Sequence, residues 1–200
     1  MFEFIFATSS PRRIEIINKL NYKFDFISHK YEENNKLNLR PKEITIFNAL
    51  NKAQSISKDN QKKIVFASDT IVYKNEVIGK PKDKVDAFNI INKLNDDYHI
   101  VITSIVALKN LKTLFSGVKT SLVETNKISA DKINKYIDTG YYSDKAGGYG
   151  IQNIDFKFVK NYYGCYENIL GLPTCLINES IAKIKSINNN NFSICKGKNK

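Results

Sequence analysis

Phe4-Ile5-Phe6-Ala7-Thr8-Ser9-Ser10-Pro11-Arg12-Arg13 is the stretch on which the reading of the fold turns. Phe4-Ile5-Phe6 is a short continuous apolar run, as expected of a buried strand. Ile14, Ile17 and Leu20 follow at helical spacing. Between the two, Ser10 suits an N-cap, and Pro11 suits the first helical position, where a missing N–H is no loss. The segment reads as strand, short hydroxyl-bearing loop, helix. Arg12 and Arg13 then fall in the first helical turn, where the macrodipole disfavours cations. A helix N-terminus offers unpaired N–H donors and partial positive charge to an anion, and a polyphosphate there accounts for both arginines. A capped helix with two solvated arginines is the simpler account of this segment alone.

Outward from that stretch, residues 23–27 alternate enough to form a second strand, and residues 28–39 are polar and hold Glu32 and Glu33. Pro41 opens a helix with Ile46, Phe47, Leu50 and Ala53 on one side and Lys52 beside that stripe. Residues 64–67 read as a buried strand that ends in Ser68-Asp69-Thr70 and resumes at Ile71-Val72-Tyr73, with a hairpin turn at Lys74-Asn75 and a return over 76–78. Gly79-Lys80-Pro81 breaks the pattern. Asp83 caps a helix that buries Ala87, Phe88, Ile91 and Leu94. A long apolar strand over 98–108 has its antiparallel return over 114–123. Ser129 caps a helix with Ile133, Tyr136 and Ile137 inward and Gly140 at its end. A glycine-rich loop spans 141–152. Residues 156–159 and 165–170 read as short strands. Gly171-Leu172-Pro173 leads into a last helix with Ile177, Ile181, Ile184 and Ile187 on one face. Residues 188–200, rich in Asn and Lys, read as a disordered tail, so 1–187 form a single domain.

With 42% hydrophobic residues, the 200-residue chain can bury a sizeable core. Its formal net charge is +11; the residues from Lys183 onward contribute five lysines and no acids, leaving +6 for the rest. Such a balance suits nucleic acid, an anionic membrane or a phosphorylated small substrate. A general Lys/Asn bias explains the overall charge more simply; no membrane partner is expected, and nucleic-acid binding through the basic tail is the weakest functional reading. Cys165, Cys175 and Cys195 are odd in number and lack CxxC spacing, which fits a reducing compartment. The N-terminal apolar run is too short for a signal peptide, and no run approaches the roughly 18 residues of a membrane span. The expectation is a soluble cytoplasmic protein.

Polar residues collect where elements end. Asp69, placed at a strand end, is a turn-former, a metal ligand or a base, and taken alone the turn reading is the simpler. Lys80, on a stiff turn between Gly79 and Pro81, is a phosphate contact or simply solvated. Asp144 and Lys145 precede the glycine run, and the Gln152 amide can read a base edge or be an ordinary loop residue. Together, Arg12, Arg13, Lys52, Lys80 and Lys145 supply cations for phosphate, and Glu33, Asp69 and Asp144 supply hard oxygen ligands for Mg²⁺, provided the fold brings them into one cleft.

Four ordered blocks, FATSSPRR (6–13), ASDTIVYKNEVIGKPKD (67–83), TGYYSDKAGGYGIQ (139–152) and ENILGLP (167–173), resemble the signature blocks of the Maf family. These are nucleoside triphosphate pyrophosphatases of the Maf/Ham1-like superfamily. The resemblance runs from Phe4 to about Ile184. It implies an α/β fold with an elongated mixed β-sheet flanked by helices, two lobes around a central cleft, and usually a homodimer. It implies hydrolysis between the α- and β-phosphates of a nucleoside triphosphate, with a divalent metal, Mg²⁺ or Mn²⁺. Carried across, the blocks make Asp69, Lys52 and Lys80 catalytic. Ser9, Arg12, Arg13, Thr70, Asp144, Lys145 and Gln152 join Lys80 as substrate-binding residues. Glu33, with Glu32 as fallback, and Asp69 become metal ligands. The third block resembles the branch acting on dTTP and UTP rather than 7-methyl-GTP. Tyr141-Tyr142 departs from the family's frequent Glu-Pro. Family members linked to septum formation suggest an alternative, a nucleotide-binding regulator with weak or no catalysis. On the enzymatic reading, Asp69→Asn nearly abolishes turnover and leaves the fold intact.

Overall fold

The computed structural model describes residues 3–190, with side chains to Ile187. The apolar N-terminal run forms β1 (Phe4–Ala7), buried at all four positions. It pairs parallel to β2 (Phe24–Ile27) on one side and β3 (Ile64–Lys74) on the other. A strand flanked on both edges and covered on both faces has no wet side, hence its unbroken hydrophobicity. Phe4, Phe6, Phe24 and Phe66 pack one face, with ring centroids 5.3–6.5 Å apart. Helix α6 (Thr174–Asn190) lays Leu176, Ile177, Ile181 and Ile184 over them. On the opposite face, Ala49, Ala53 and Ile56 of α2 (Pro41–Ser57) pack against Ile5, Ala7, Val65, Ala67, Val106 and Leu108.

The antiparallel half of the sheet continues through β5 (Tyr98–Lys109), β6 (Lys112–Thr125) and β7 (Val159–Tyr163), in the order β2-β1-β3-β5-β6-β7. A short β4 (Glu76–Ile78) pairs back on β3. At the far end of β3 and β5 a second core forms. There α3 (Lys84–Leu94) and α4 (Ala130–Asp138) bury Ala87, Ile91, Leu94, Ile133, Tyr136 and Ile137 against Val72, Val101 and Val123. The two cores share the long strands, so the molecule has two lobes on one mixed sheet. Helix α1 (Pro11–Asn18), helix α5 (Tyr166–Leu170) and the 141–152 loop face the gap between them. Ser129 caps α4 by accepting from Lys132 N–H, Asp83 caps α3 by accepting from Asp86 N–H, and Gly140 follows α4 in the left-handed region at φ +72°.

Four expectations change. First, Asp69 is not at a strand end: β3 runs unbroken through Ser68-Asp69-Thr70, paired to Ile105, Ser104 and Thr103 of β5. The Asp69 and Thr70 side chains find partners, and Ser68 Oγ is buried with none among the described residues, so the two strongest polar groups are satisfied without the strand stopping. Second, the buried face of α2 is Ile44, Thr45, Asn48, Ala49, Lys52, Ala53 and Ile56, while Phe47 is exposed. Lys52 therefore sits in the buried stripe rather than beside it. Third, residues 165–170 are not a strand. Cys165 is the extended N-cap of α5, and Gly171, left-handed at φ +97°, closes it with N–H bonds from Gly171 to Asn168 O and from Leu172 to Glu167 O. The strand expected at 156–159 instead begins at Val159. Fourth, α6 continues to Asn190, into the expected tail; residues 191–200 lie outside the described residues. Among the described residues no helix is long and apolar enough to cross a membrane.

Candidate active site

The loop before α1 leaves that helix's leading donors open. Ser10 has the extended N-cap conformation, but its hydroxyl makes no cap bond, and its own N–H goes to Thr8 Oγ1 at 3.1 Å. Ser9, Ser10, Pro11 and Arg13 form one wall of a cavity completed by His29, Glu33, Lys80 and Asp144. Open backbone donors at a helix N-terminus beside two cationic side chains favour a polyanion.

Both first-turn arginines are held from elsewhere. Arg13 donates through Nε to Gly171 O at 3.0 Å and through Nη2 to Thr70 Oγ1 at 3.1 Å. Thr70 Oγ1 also lies 3.0 Å from Thr103 Oγ1, so Thr70 is fixed from the adjacent strand. Burial pulls the Arg13 guanidinium below its ordinary pKa, and Asp69 and Glu33 work against that; a guanidinium nonetheless stays charged. Arg12 donates through Nη2 to Asp144 O at 3.1 Å and pairs with Asp144 Oδ1 at 3.5 Å. Its Nε is buried with no protein partner among the described residues, a donor left over for a ligand.

Behind this wall lies an acid pair bridged by one lysine. Lys52 Nζ meets Asp69 Oδ1 at 2.6 Å and Glu33 Oε1 at 2.7 Å, and Lys80 Nζ reaches the same Glu33 oxygen at 3.4 Å. The side chains of Lys52 and Asp69 are each 1% exposed. Two carboxylates are what make a buried ammonium tolerable there. Burial works to raise the Glu33 pKa, but Lys52, Lys80 and Arg13 outweigh it and hold the carboxyl at about 2. Asn48 donates to Asp69 Oδ2 at 3.3 Å.

A cleft opens from this centre toward the second lobe. Arg12, Arg13, Glu33, Thr70 and Lys80 line one side, and Asp144, Lys145, Tyr149 and Gln152 the other. Asp144 accepts from Lys145 Nζ at 2.6 Å. Burial would raise the Asp144 pKa, but Lys145 and Arg12 carry it below the ordinary value; burial and Arg12 lower that of Lys145. Tyr141 gives Lys145 two contacts. Its carbonyl accepts from Lys145 Nζ at 2.5 Å, and its ring centroid lies 3.6 Å from that nitrogen.

Ser9, Arg12, Arg13, Glu33, Thr70, Lys80, Asp144, Lys145 and Gln152 thus all line the two joined cavities, and Glu33 rather than the exposed Glu32 is the acid that faces in. Lys52 and Asp69 stand one layer behind, reached through Glu33. Asn48, Thr103, Gly171 and His29 were not singled out from the sequence. Asn48 had a readable signal: Thr45, Asn48 and Lys52 are polar positions set in one helical series with Ala49, Ala53 and Ile56. The other three become partners only through tertiary pairing.

The donor set constrains any metal. Among the described residues no group of three or more His, Cys, Asp or Glu side chains is placed to hold an ion. Glu33 and Asp69 do converge, with Lys52 between them. Two carboxylates supplemented by substrate phosphate oxygens match how Mg²⁺ is commonly bound, so the residues fit an ion that arrives with its substrate.

Comparison with known proteins agrees with this architecture. The profile of the family described as Maf-like protein matches residues 3–184. A dTTP/UTP pyrophosphatase of Alkaliphilus metalliredigens is 41% identical over 187 residues, covering 92% of this chain and 97% of that one. A dTTP/UTP pyrophosphatase of Dictyoglomus turgidum is 36% identical, covering 88% of this chain and 93% of that one. Among solved structures, a HAM1 protein from Coxiella burnetii superposes with a TM-score of 0.51 at 13% identity, covering 92% of this chain and 100% of that one, a likeness of fold alone. A family match across nearly the whole domain, with relatives of this identity and coverage, means that the chain belongs to the Maf family.

Proposed function

We propose that the protein is a nucleoside triphosphate pyrophosphatase that cleaves the α–β phosphoanhydride of pyrimidine nucleotides, dTTP and UTP, to the monophosphate and pyrophosphate. The relatives named dTTP/UTP pyrophosphatase support the substrate class. The observation that carries the chemistry is the convergence of Arg12, Arg13 and Lys80 with the Glu33–Lys52–Asp69 pairing at one end of one cleft.

The α1 N-terminus, Arg13 and Lys80 hold the β- and γ-phosphates, and Ser9 and Arg12 flank them. Gln152 and Lys145 face the nucleoside end, while Thr70 stays with Arg13 on the phosphate side. Water attacks the α-phosphorus in line with the bridging oxygen: the new P–O bond forms, the α–β bridge breaks, and pyrophosphate leaves. Asp69 takes the water proton, its carboxylate oriented by Lys52 and Asn48. Glu33 and Asp69 would hold Mg²⁺ or Mn²⁺, which would supply neutralisation of charge on the phosphates. Donors aimed at transition-state charge are each worth roughly 10²–10³ in rate in comparable sites. The acids are in place and Tyr141 is engaged by Lys145, which favours an enzyme over a non-catalytic regulator.

The protein is further proposed to act in the cytoplasm as a homodimer. Tyr73, Ile100, Ile102, Leu122 and Tyr163 line an open, largely apolar groove on the sheet, suited to a second copy. Cys165 and Cys175, both free thiols, suit a reducing compartment.

Pyrophosphate release measured across dTTP, UTP, CTP, ATP and GTP, with Mg²⁺ and with Mn²⁺, tests the substrate reading. Turnover is expected to be highest with dTTP and UTP. Equal rates on purines would overturn the pyrimidine assignment.

A further inference from the structure

Glu33 is carried by residues 28–40, a segment that contains neither helix nor strand. Backbone outside regular structure needs other attachments. Much of its attachment passes through one side chain. Asn48, on α2 one helical turn before Lys52, has no exposed surface. Its Oδ1 accepts from the Tyr31 hydroxyl at 3.1 Å and from the Asn34 N–H at 3.0 Å. Its Nδ2 donates to Asn35 Oδ1 at 3.0 Å and to Asp69 Oδ2 at 3.3 Å. The amide's two acceptor sites and two donors are all used. Three of the four partners bracket Glu33: Tyr31 on one side, Asn34 and Asn35 on the other.

The connection extends further. A Cβ added to Gly79 would stand 2.9 Å from Asn35 Nδ2, so Asn35 rests directly on the turn that carries Lys80. Gly79 O in turn accepts from Gly147 N–H at 2.9 Å, at the start of the glycine-rich wall. Asparagine is a poor choice for a helix interior, and a buried amide is costly unless fully bonded. A fully satisfied buried polar group rigidifies what it joins.

We propose that Asn48 is a positioning residue that pins the Glu33 segment against Asp69 and, through Asn35, against the Gly79-Lys80 turn, so that the acid pair and the phosphate-binding lysine keep one geometry. The catalytic arm of this inference rests on the pyrophosphatase reading; the structural arm does not.

The test is Asn48→Leu, which keeps the branched outline of the side chain, favours the helix and removes every hydrogen bond. Amide exchange at Asn34, whose N–H bonds directly to Asn48, is expected to quicken roughly tenfold or more, while the β3 amides stay protected. With dTTP, kcat is expected to fall roughly tenfold or more with KM changed by less than about threefold, the pattern of a misplaced catalytic centre rather than lost uniform binding. Gly79→Ala, which pushes Asn35 from the far side, is expected to lower kcat in the same way, and the double variant to lose less than the product of the two single losses. Should Asn48→Leu fail to fold, Gly79→Ala carries the same readouts. Unchanged exchange at Asn34, or faster exchange with kcat within about twofold of wild type, overturns the proposal. A wild-type protein without pyrophosphatase activity overturns the functional reading instead, and exchange at Asn34 then decides the inference by itself.

Discussion

Lys52 carries a full charge into the core because two carboxylates, Asp69 at 2.6 Å and Glu33 at 2.7 Å, meet it there. Removing one partner of a buried pair leaves charge uncompensated. Asp69→Asn is therefore expected to lower turnover by roughly 10²–10³ or more. It should also cost stability, about 1–3 kcal/mol, because Lys52 keeps only Glu33 as an ionised partner. Kinetics together with denaturant titration check both parts. The stability cost differs from the expectation that Asp69→Asn leaves the fold intact, because Asp69 is a buried partner of Lys52. Glu33 makes a pH-dependent contribution. Its folded pKa of about 2 lies below the ordinary 4.5, so the ionised form is the one folding favours. That stability is complete above pH 4.5 and lost as pH falls toward 2. Unfolding free energy is expected to decline through that window in the wild type, and Glu33→Gln to decline less steeply there.

At the scale of elements, α1 is tied to β3 and to the end of α5 by a single guanidinium. Arg13 spans Thr70 Oγ1 and Gly171 O with two different nitrogens. A lysine has the charge without the fork and cannot hold both. Arg13→Lys is accordingly expected to raise KM for the nucleotide roughly tenfold while the protein stays folded, as steady-state kinetics and circular dichroism would show. Much of this scale was legible beforehand. The apolar run, Pro11 and the Ile14/Ile17 spacing gave β1 and α1, and Asp83 and Ser129 cap α3 and α4 as their types suggest. What misled were polar residues inside elements. Ser68-Asp69-Thr70 looked like an interruption because its partners, Lys52, Asn48, Thr103 and Arg13, come from three other elements. The apolar look of 165–170 hid a one-turn helix whose left-handed Gly171 supplies the carbonyl that holds Arg13.

At the scale of the whole molecule, β3 and β5 run through both cores, so the lobes are joined by continuous strands and the cleft lies where the two packings meet. The ordered blocks of sequence mapped onto this cleft because each lies at its rim: the α1 loop, the β3 centre with the Gly79-Lys80 turn, the 141–152 loop and the α5 end. Asn48 lay in none of them; its polar place in the buried series of α2 was readable, but the loop it anchors shows only once folded over it. The uncovered sheet face makes a further prediction. On the homodimer proposed above, the wild type is expected at dimer mass by light scattering, and Leu122→Lys, at a position 37% exposed in that groove, at monomer mass with its circular dichroism kept.

The central claim is that water attacks the α-phosphorus of a triphosphate held between these lobes, with Asp69 taking the proton. Hydrolysis of dTTP in ¹⁸O-labelled water, followed by mass spectrometry of the products, reads it directly. The account predicts one labelled oxygen in the dTMP, unlabelled pyrophosphate, and loss of both products with Asp69→Asn. Formation of dTDP with labelled inorganic phosphate, or undiminished labelled dTMP from Asp69→Asn, would contradict it.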